Sequence, residues 1–463
     1  MKTLIKGGRI ATAGDLFYGD ILIVDGVIKH IGCDISCSVD QVINAAGKLV
    51  LPGGVDVHTH FNLHTGTAVA RDDFYTGTVA AACGGTTCIV DHMGFGPANC
   101  NLLHQLKVYH EYAKGNAVID YSFHGVIQHV NSDILKELEE MVATEGISSF
   151  KIYMTYDYRI SEADILRVME RLKAIGGLLT IHAESHEIIA YLKHKFIAKG
   201  YKTPLYHALS RPDYCEGDAV NRMISLAATV GDAPLYIVHL TSDLGLHHIS
   251  RARESGRKVY SETCSQYLLL DEERYNQELD EGLKYILSPP LRRQENNEAM
   301  WRGIREGAIQ VVATDHCPFT IEIDKQKGRE DFSKCPNGLP GVEERLPLMF
   351  SEGVMKGRIH INKMVEVCCT NPAKLFGMYP KKGTLMPGSD GDIVIIDPLM
   401  EVTLTKDMLH SNVDYTAYEG FKLKGYPVMT LSQGEIIVQD NEFIGQQGRG
   451  KFIKRQRFLG QSI

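Results

Sequence analysis

The first fifty residues alternate short apolar runs with tight polar turns. Leu22-Ile23-Val24 is followed by Asp25-Gly26 and then by Val27-Ile28-Lys29-His30-Ile31. Two β-branched runs around a dipeptide that tolerates positive φ predict a hairpin. Near the other end, Gly391-Asp392-Ile393-Val394-Ile395-Ile396-Asp397 and Gly434-Glu435-Ile436-Ile437-Val438 have the same texture. The two ends are therefore expected to build one small β-sandwich domain, residues 1–52 with 378–463, around a central insertion, residues 53–377.

The insertion has another rhythm. Apolar, β-branched runs alternate with stretches of helical period, which implies a parallel sheet with helical crossovers. Candidate strands lie at about 50–57, 86–91, 117–123, 148–153, 178–182, 235–239, 258–262 and 310–314, with helical stretches such as 133–145 and 161–175 between them. Eight such units suit an α/β fold of the (β/α)₈ TIM-barrel type. A doubly wound open sheet is the rival, weakened because no G-x-G-x-x-G follows the first strand.

Composition narrows the class without changing the fold. The chain has 463 residues, 44% hydrophobic and 23% charged, in the globular range. Its net charge of −8 gives no overall attraction to nucleic acid or to an anionic membrane. No apolar run is long enough to span a bilayer, and the first residues carry no apolar segment of signal-peptide length. The eleven cysteines are odd in number and scattered, which suits reduced thiols better than a disulfide framework. A cytoplasmic protein is expected.

Barrel enzymes carry their chemistry at the C-terminal ends of the strands. Here the first strand runs into His58-Thr59-His60, the fourth carries Lys151 inside an apolar run, the fifth ends at His182, the sixth at His239 and the eighth at Asp315. Four imidazoles, a carboxylate and a lysine would converge on one rim. Alternate residues of a strand share a face, so His58 and His60 can address one metal, and this donor set suits Zn²⁺. One catalytic zinc needs fewer ligands; two metals sharing a bridging hydroxide would use them all. A buried lysine sheds its proton readily, and the neutral amine with CO₂ gives an anionic carbamate, leaving the centre one net positive charge.

Each residue alone has a plainer reading. His-x-His is a weak motif, Lys151 suits a Schiff base or a core salt bridge, and Asp315 suits a helix cap. The joint pattern carries the inference. His104, His110, His194, His247, His248, His360 and His410 are read as packed or solvated. Asp91, His92 and His124 end the second and third strands, and are expected to support the site or line its pocket.

These residues sit in longer stretches that resemble a known family. Pro52-Gly53-Gly54-Val55-Asp56-Val57-His58-Thr59-His60 is similar to the opening of the cyclic amidohydrolases. Ser149-Phe150-Lys151-Ile152-Tyr153-Met154-Thr155-Tyr156 resembles the carboxylated-lysine strand of dihydropyrimidinases and D-hydantoinases, as do 311–319, 337–343 and 382–392. The likeness spans essentially the whole chain and is nearest to the bacterial D-phenylhydantoinase branch. It implies a (β/α)₈ barrel inserted in a β-sandwich, a homotetramer, and hydrolytic opening of a cyclic amide, most naturally a 5-monosubstituted hydantoin of D configuration. It assigns His58, His60, Lys151 and Asp315 to one metal, and Lys151 (as N6-carboxylysine), His182 and His239 to the other. Tyr156 matches the tyrosine that hydrogen-bonds the substrate oxygen. Ser288 and Asn337 match residues whose main chain holds the ring. Asp315 is expected to carry the proton from the bridging hydroxide to the leaving nitrogen.

One loop departs from the relatives. Dihydropyrimidinases tend to have an acidic residue and a proline where this chain reads Phe61-Asn62-Leu63-His64-Thr65-Gly66, which leaves substrate identity open. A dihydropyrimidinase acting on dihydrouracil or dihydrothymine and an allantoinase share the expected ligands. Asn62 stands where a dihydroorotase would carry an arginine, which counts against that reading. Non-catalytic dihydropyrimidinase-related assembly proteins have lost metal ligands, and this chain retains all six.

Overall fold

The computed structural model describes residues 1–460. β1 (Lys2–Ala11), β2 (Leu16–Val24) and β3 (Val27–Gly32) form an antiparallel meander. Asp25 and Gly26, with φ of 48° and 81°, make the hairpin turn that the dipeptide predicts. β4 (Gln41–Asn44) and β5 (Leu49–Pro52) then pair in parallel with the first and second halves of β1.

A second sheet begins two residues later. Its strands are β6 (Gly54–Thr59), β7 (Thr86–His92), β8 (Asp120–Val126), β9 (Ser149–Tyr153), β10 (Leu178–His182), β11 (Leu235–Ile237), β12 (Val259–Cys264) and β13 (Val311–Ala313). They pair in parallel and in sequence order. The ring closes just past β13, where the His60 amide donates to His316 O at 2.9 Å. Below that seam the buried Arg345 guanidinium donates to the carbonyls of Val55 at 3.2 Å and Val312 at 2.9 Å, tying the first and last strands. The expected TIM barrel is present. The candidate strand at 50–57 is two strands, because the chain turns at Pro52-Gly53 from one sheet into the other. A Cβ on Gly53 would lie 2.2 Å from Thr87 Oγ1, so only glycine fits that crossing.

β14 (Ile393–Thr403), β15 (Lys422–Ser432), β16 (Glu435–Gln439) and β17 (Glu442–Phe443) complete the first sheet. β14 pairs antiparallel with β5 from Ile393 opposite Pro52 to Ile396 opposite Leu49. One nine-stranded sheet is thus made by both ends of the chain, with an apolar interior of Ile5, Ile10, Ile23, Ile43, Ile393 and Leu431. The last described residues return beneath the barrel, where Ile453 and Phe458 pack with Phe376 and Met378 against barrel-interior residues such as Val55 and Tyr236. Among the described residues no helix is long and apolar enough to cross a membrane.

Strand alternation decides what the barrel interior holds. Phe150 and Ile152 of β9 belong to the core beneath the helices, so Ser149, Lys151 and Tyr153 point inward. Leu179 and Ile181 of β10 likewise face outward, which turns His182 in. The same pattern puts Tyr236 of β11 inside.

Candidate active site

The inward residues meet at the C-terminal end of the barrel, in a cavity of 720 Å³. Its walls include His58, His60, Lys151, Tyr156, His182, His239, Ser288, Asp315 and Asn337. Every residue singled out for the site is brought to this one space. Their separations are short. Asp315 Oδ1 lies 3.1 Å from His58 Nε2 and 3.2 Å from His60 Nε2, and His182 Nδ1 lies 2.9 Å from His239 Nε2. The backbone is bent to achieve this: Tyr156, His239 and Asp315 all have positive φ, at 67°, 38° and 53°. For L residues such conformations cost about 1–3 kcal/mol each. They occur just past the ends of β9, β11 and β13, where the chain must turn a side chain back over the barrel mouth.

Buried carboxylates, absent from the expected set, hold the imidazoles. Glu262 of β12 bonds His58 Nδ1, accepts from Tyr236 OH at 2.8 Å and from the His239 amide at 3.2 Å. Glu184 bonds His182 Nε2 at 2.7 Å and is itself paired with Arg211 at 2.5 Å. Each carboxylate fixes which ring nitrogen is left to face the cavity. Glu262 lies in a strand, Val259–Cys264, whose Ser261 and Thr263 are polar as well, so the sequence does not single it out as it does Lys151. Glu184 sits two residues beyond His182, and Arg211 lies between helices where no period marks it.

Charge at the site follows from burial and neighbours. Burial pulls the Lys151 ammonium down to about 8, against Asp315 and Glu262, so a neutral amine is accessible. Burial opposes a charge on His58 too, but Asp315 and Glu262 outweigh it and raise the imidazole to about 9. Burial takes His60 down to about 4 despite Asp315. Asp315 is driven up by burial, yet His58 and His60 hold its carboxyl well below the usual range. Glu184, likewise buried, is held down at about 2 by Arg211 and His182.

Asp91, His92 and His124 lie behind the wall rather than on it. Asp91 Oδ2 accepts from Thr59 Oγ1 at 2.6 Å and from the Phe61 amide at 2.9 Å, fixing the strand that carries His58 and His60. His124 is engaged at both nitrogens, by Ser149 Oγ at 2.6 Å and Val57 O at 2.9 Å. His92 is stacked on His124, with ring centroids 4.3 Å apart.

Part of the cavity lining is apolar and aromatic. Leu63, Met93, Phe95, Tyr153 and Tyr158 form it, and Phe95 stacks on Tyr158 at 3.6 Å between centroids. Two loops are latched above it. Arg71 makes a two-pronged pair with Asp324 at 2.7 and 2.9 Å, and Lys327 Nζ donates to Thr67 O at 2.6 Å.

A divalent metal suits this donor set on the structure's own terms. His60 Nδ1 and His239 Nδ1 are buried with no hydrogen-bond partner, His58 Nε2 faces the Asp315 carboxylate 3.1 Å away, and converging imidazoles with one carboxylate are what zinc takes. Comparison with known proteins agrees with the architecture. The family model described as "Amidohydrolase family" matches residues 49–437. The chain belongs to the amidohydrolase family. Within it, the chain is 52% identical over 460 residues, 99% of each protein, to a D-phenylhydantoinase of Escherichia coli O1:K1 / APEC. Among solved structures, a dihydropyrimidinase from Brevibacillus agri NCHU1002 superposes with a TM-score of 0.98 at 42% identity, covering 99% of this chain and 100% of that one. An L-hydantoinase from Arthrobacter aurescens gives 0.90 at 29% identity, covering 98% and 99%. This amidohydrolase therefore shares its fold along nearly the whole chain with a solved dihydropyrimidinase and a solved L-hydantoinase.

Proposed function

We propose that this amidohydrolase opens cyclic amides and ureides, with D-5-monosubstituted hydantoins such as D-5-phenylhydantoin as substrates and N-carbamoyl-D-amino acids as products. The observation that carries the reading is the meeting of His58, His60, His182, His239, Lys151 and Asp315 in one cavity with an aromatic wall. Full-length identity to a D-phenylhydantoinase supports it. The barrel unit is taken as residues 53–377, and the working form as a cytoplasmic homotetramer, which analytical ultracentrifugation tests.

His58, His60, Asp315 and a carboxylated Lys151 would hold one divalent ion, and the same Lys151 with His182 and His239 the other, zinc being the metal proposed. When bound, such a pair supplies Lewis-acid polarisation of the ring carbonyl and a water acidified toward neutrality. The remaining work falls to the chain. Asp315 is ionised and faces the cavity, so it takes a proton from the attacking water at its carboxylate oxygen. It then gives that proton to the ring nitrogen as the C–N bond breaks. Tyr156 directs its hydroxyl to the carbonyl oxygen, where negative charge grows. The main chain of Ser288 and Asn337 holds the amide edge of the ring. Phe95 and Tyr158 offer a flat apolar surface to a phenyl substituent.

The likeness to a dihydropyrimidinase favours dihydrouracil as the second reading. Ring opening of D-5-phenylhydantoin, L-5-phenylhydantoin and dihydrouracil by one preparation supplied with Zn²⁺ and bicarbonate separates the two. Preference for the D-phenyl compound is expected; preference for dihydrouracil makes the pyrimidine reading the correct one. If none of the three opens while metal is bound, an allantoinase-type substrate takes their place.

A further inference from the structure

We propose that His58, His60 and His92 form a three-imidazole site that retains one divalent cation while Lys151 is still a free amine. The inference rests on the metal reading of His58 and His60 above and adds to it a ligand that lies off the cavity wall. One ligand atom from each of the three rings lies within 4.8 Å of the others. The His92 centroid is 4.3 Å from that of His58 and 4.9 Å from that of His60. All three side chains are buried, with residue exposures of 0%, 7% and 1% for His58, His60 and His92.

The decisive observation is what His92 lacks. Neither of its ring nitrogens has a hydrogen-bond partner, and His60 Nδ1 has none either, while His58 Nε2 faces the Asp315 carboxylate 3.1 Å away. A neutral imidazole always carries one N–H and one lone pair, and buried polar groups are nearly always partnered. His124, the next ring in the stack, obeys that rule at both nitrogens. Glu262 occupies His58 Nδ1 and so leaves Nε2 as the donor to a cation. Three imidazole nitrogens are a sufficient set for a zinc-like ion, with the fourth position free.

The sequence of assembly follows. The first ion is held by the histidines, before any carbamate exists. CO₂ then adds to the neutral Lys151 amine, forming the N–C bond and releasing one proton, and the new anion completes the second position with His182 and His239.

Metal binding in bicarbonate-free buffer tests this, read by metal analysis after desalting and by titration calorimetry with Co²⁺. Lys151→Ala protein is expected to keep one ion. Lys151→Ala/His92→Phe should bind it about 10- to 100-fold more weakly. His92→Phe alone, supplied with bicarbonate, should still take two. His92→Cys in the Lys151→Ala background gives an independent signature, a thiolate-to-Co²⁺ charge-transfer band. Equal affinity in the Lys151→Ala proteins with and without His92, or a His92→Cys variant that binds Co²⁺ without the band, overturns the proposal. Loss of all metal by the unaltered protein even with bicarbonate would instead remove the binuclear reading itself. Circular dichroism of each variant separates lost binding from lost fold.

Discussion

Asp315 does two things that a single substitution can separate. It contacts two imidazoles through one oxygen, and it is ionised because those neighbours overcome the effect of burial. Asp315→Asn keeps an oxygen donor and loses the proton acceptor. Metal content should therefore stay near that of the parent while kcat falls about 10²- to 10⁴-fold; near-normal turnover would remove Asp315 as the base. Glu262 acts one layer further out. Glu262→Gln leaves its size unchanged but weakens the bond that fixes His58, and should lower metal affinity about 10- to 100-fold, measured by competition with a chelator. The two residues also differ in how they are written in the sequence. Asp315 follows the apolar run 311–313 and ends a strand, so its placement is legible. Glu262 reads as the polar end of an ordinary strand until the barrel shows that Tyr236 and His58 lie on either side of it. Lys151 is legible for the opposite reason: a charge flanked by Phe150 and Ile152 has nowhere to go but inward.

At the scale of elements, the loops above the strands decide what enters. The Phe95–Tyr158 stack joins the loop after β7 to the loop after β9. Tyr158→Ala should lower kcat/KM for D-5-phenylhydantoin about 2- to 10-fold, the value of one aromatic contact, and leave dihydrouracil nearly unchanged. An equal loss for both substrates would mean that the stack holds the loops rather than the substituent. The Arg71–Asp324 pair latches the loop of the departing Phe61–Gly66 segment. Burial raises the Asp324 carboxyl, and Arg71 with Thr320 more than reverses this, so its folded value is below the ordinary one. A lowered carboxyl pKa stabilises the latch above the ordinary aspartate value and loses that contribution only as pH falls through the folded value. KM should thus be insensitive to pH near neutrality and rise in acid, and Arg71→Ala should raise KM throughout. Sequence patterning anticipates the strands that carry these loops, because β-branched runs define them. It does not anticipate that 50–57 divides at Gly53, since Val50-Leu51 and Val55-Asp56-Val57 read as one β-branched stretch and the break shows only in their different partners.

Across the whole molecule, the terminal sheet and the barrel are joined by one buried ion cluster. Lys382 Nζ contacts Asp120 and Asp392 at 2.6 Å each and Asp390 at 2.8 Å. Asp120 starts a barrel strand, while the other two precede β14. Removing the cation leaves three buried carboxylates facing one another, so Lys382→Met should cost about 3–5 kcal/mol of stability, read by urea denaturation. A loss below about 1 kcal/mol would mean that Lys381 and Gln433, which also bond this cluster, suffice to hold it.

The pairing of β5 with β14 also has a consequence for how the molecule comes into being. β5 is complete once residue 52 has been made, but its partner ends at residue 403. At about 5–20 residues per second, ribosomal synthesis separates the two by roughly 20–70 s. Throughout that interval the nascent chain carries an open apolar strand edge, the kind of surface that other chains can add to. The barrel, whose strands pair in the order in which they emerge, can form while that edge waits.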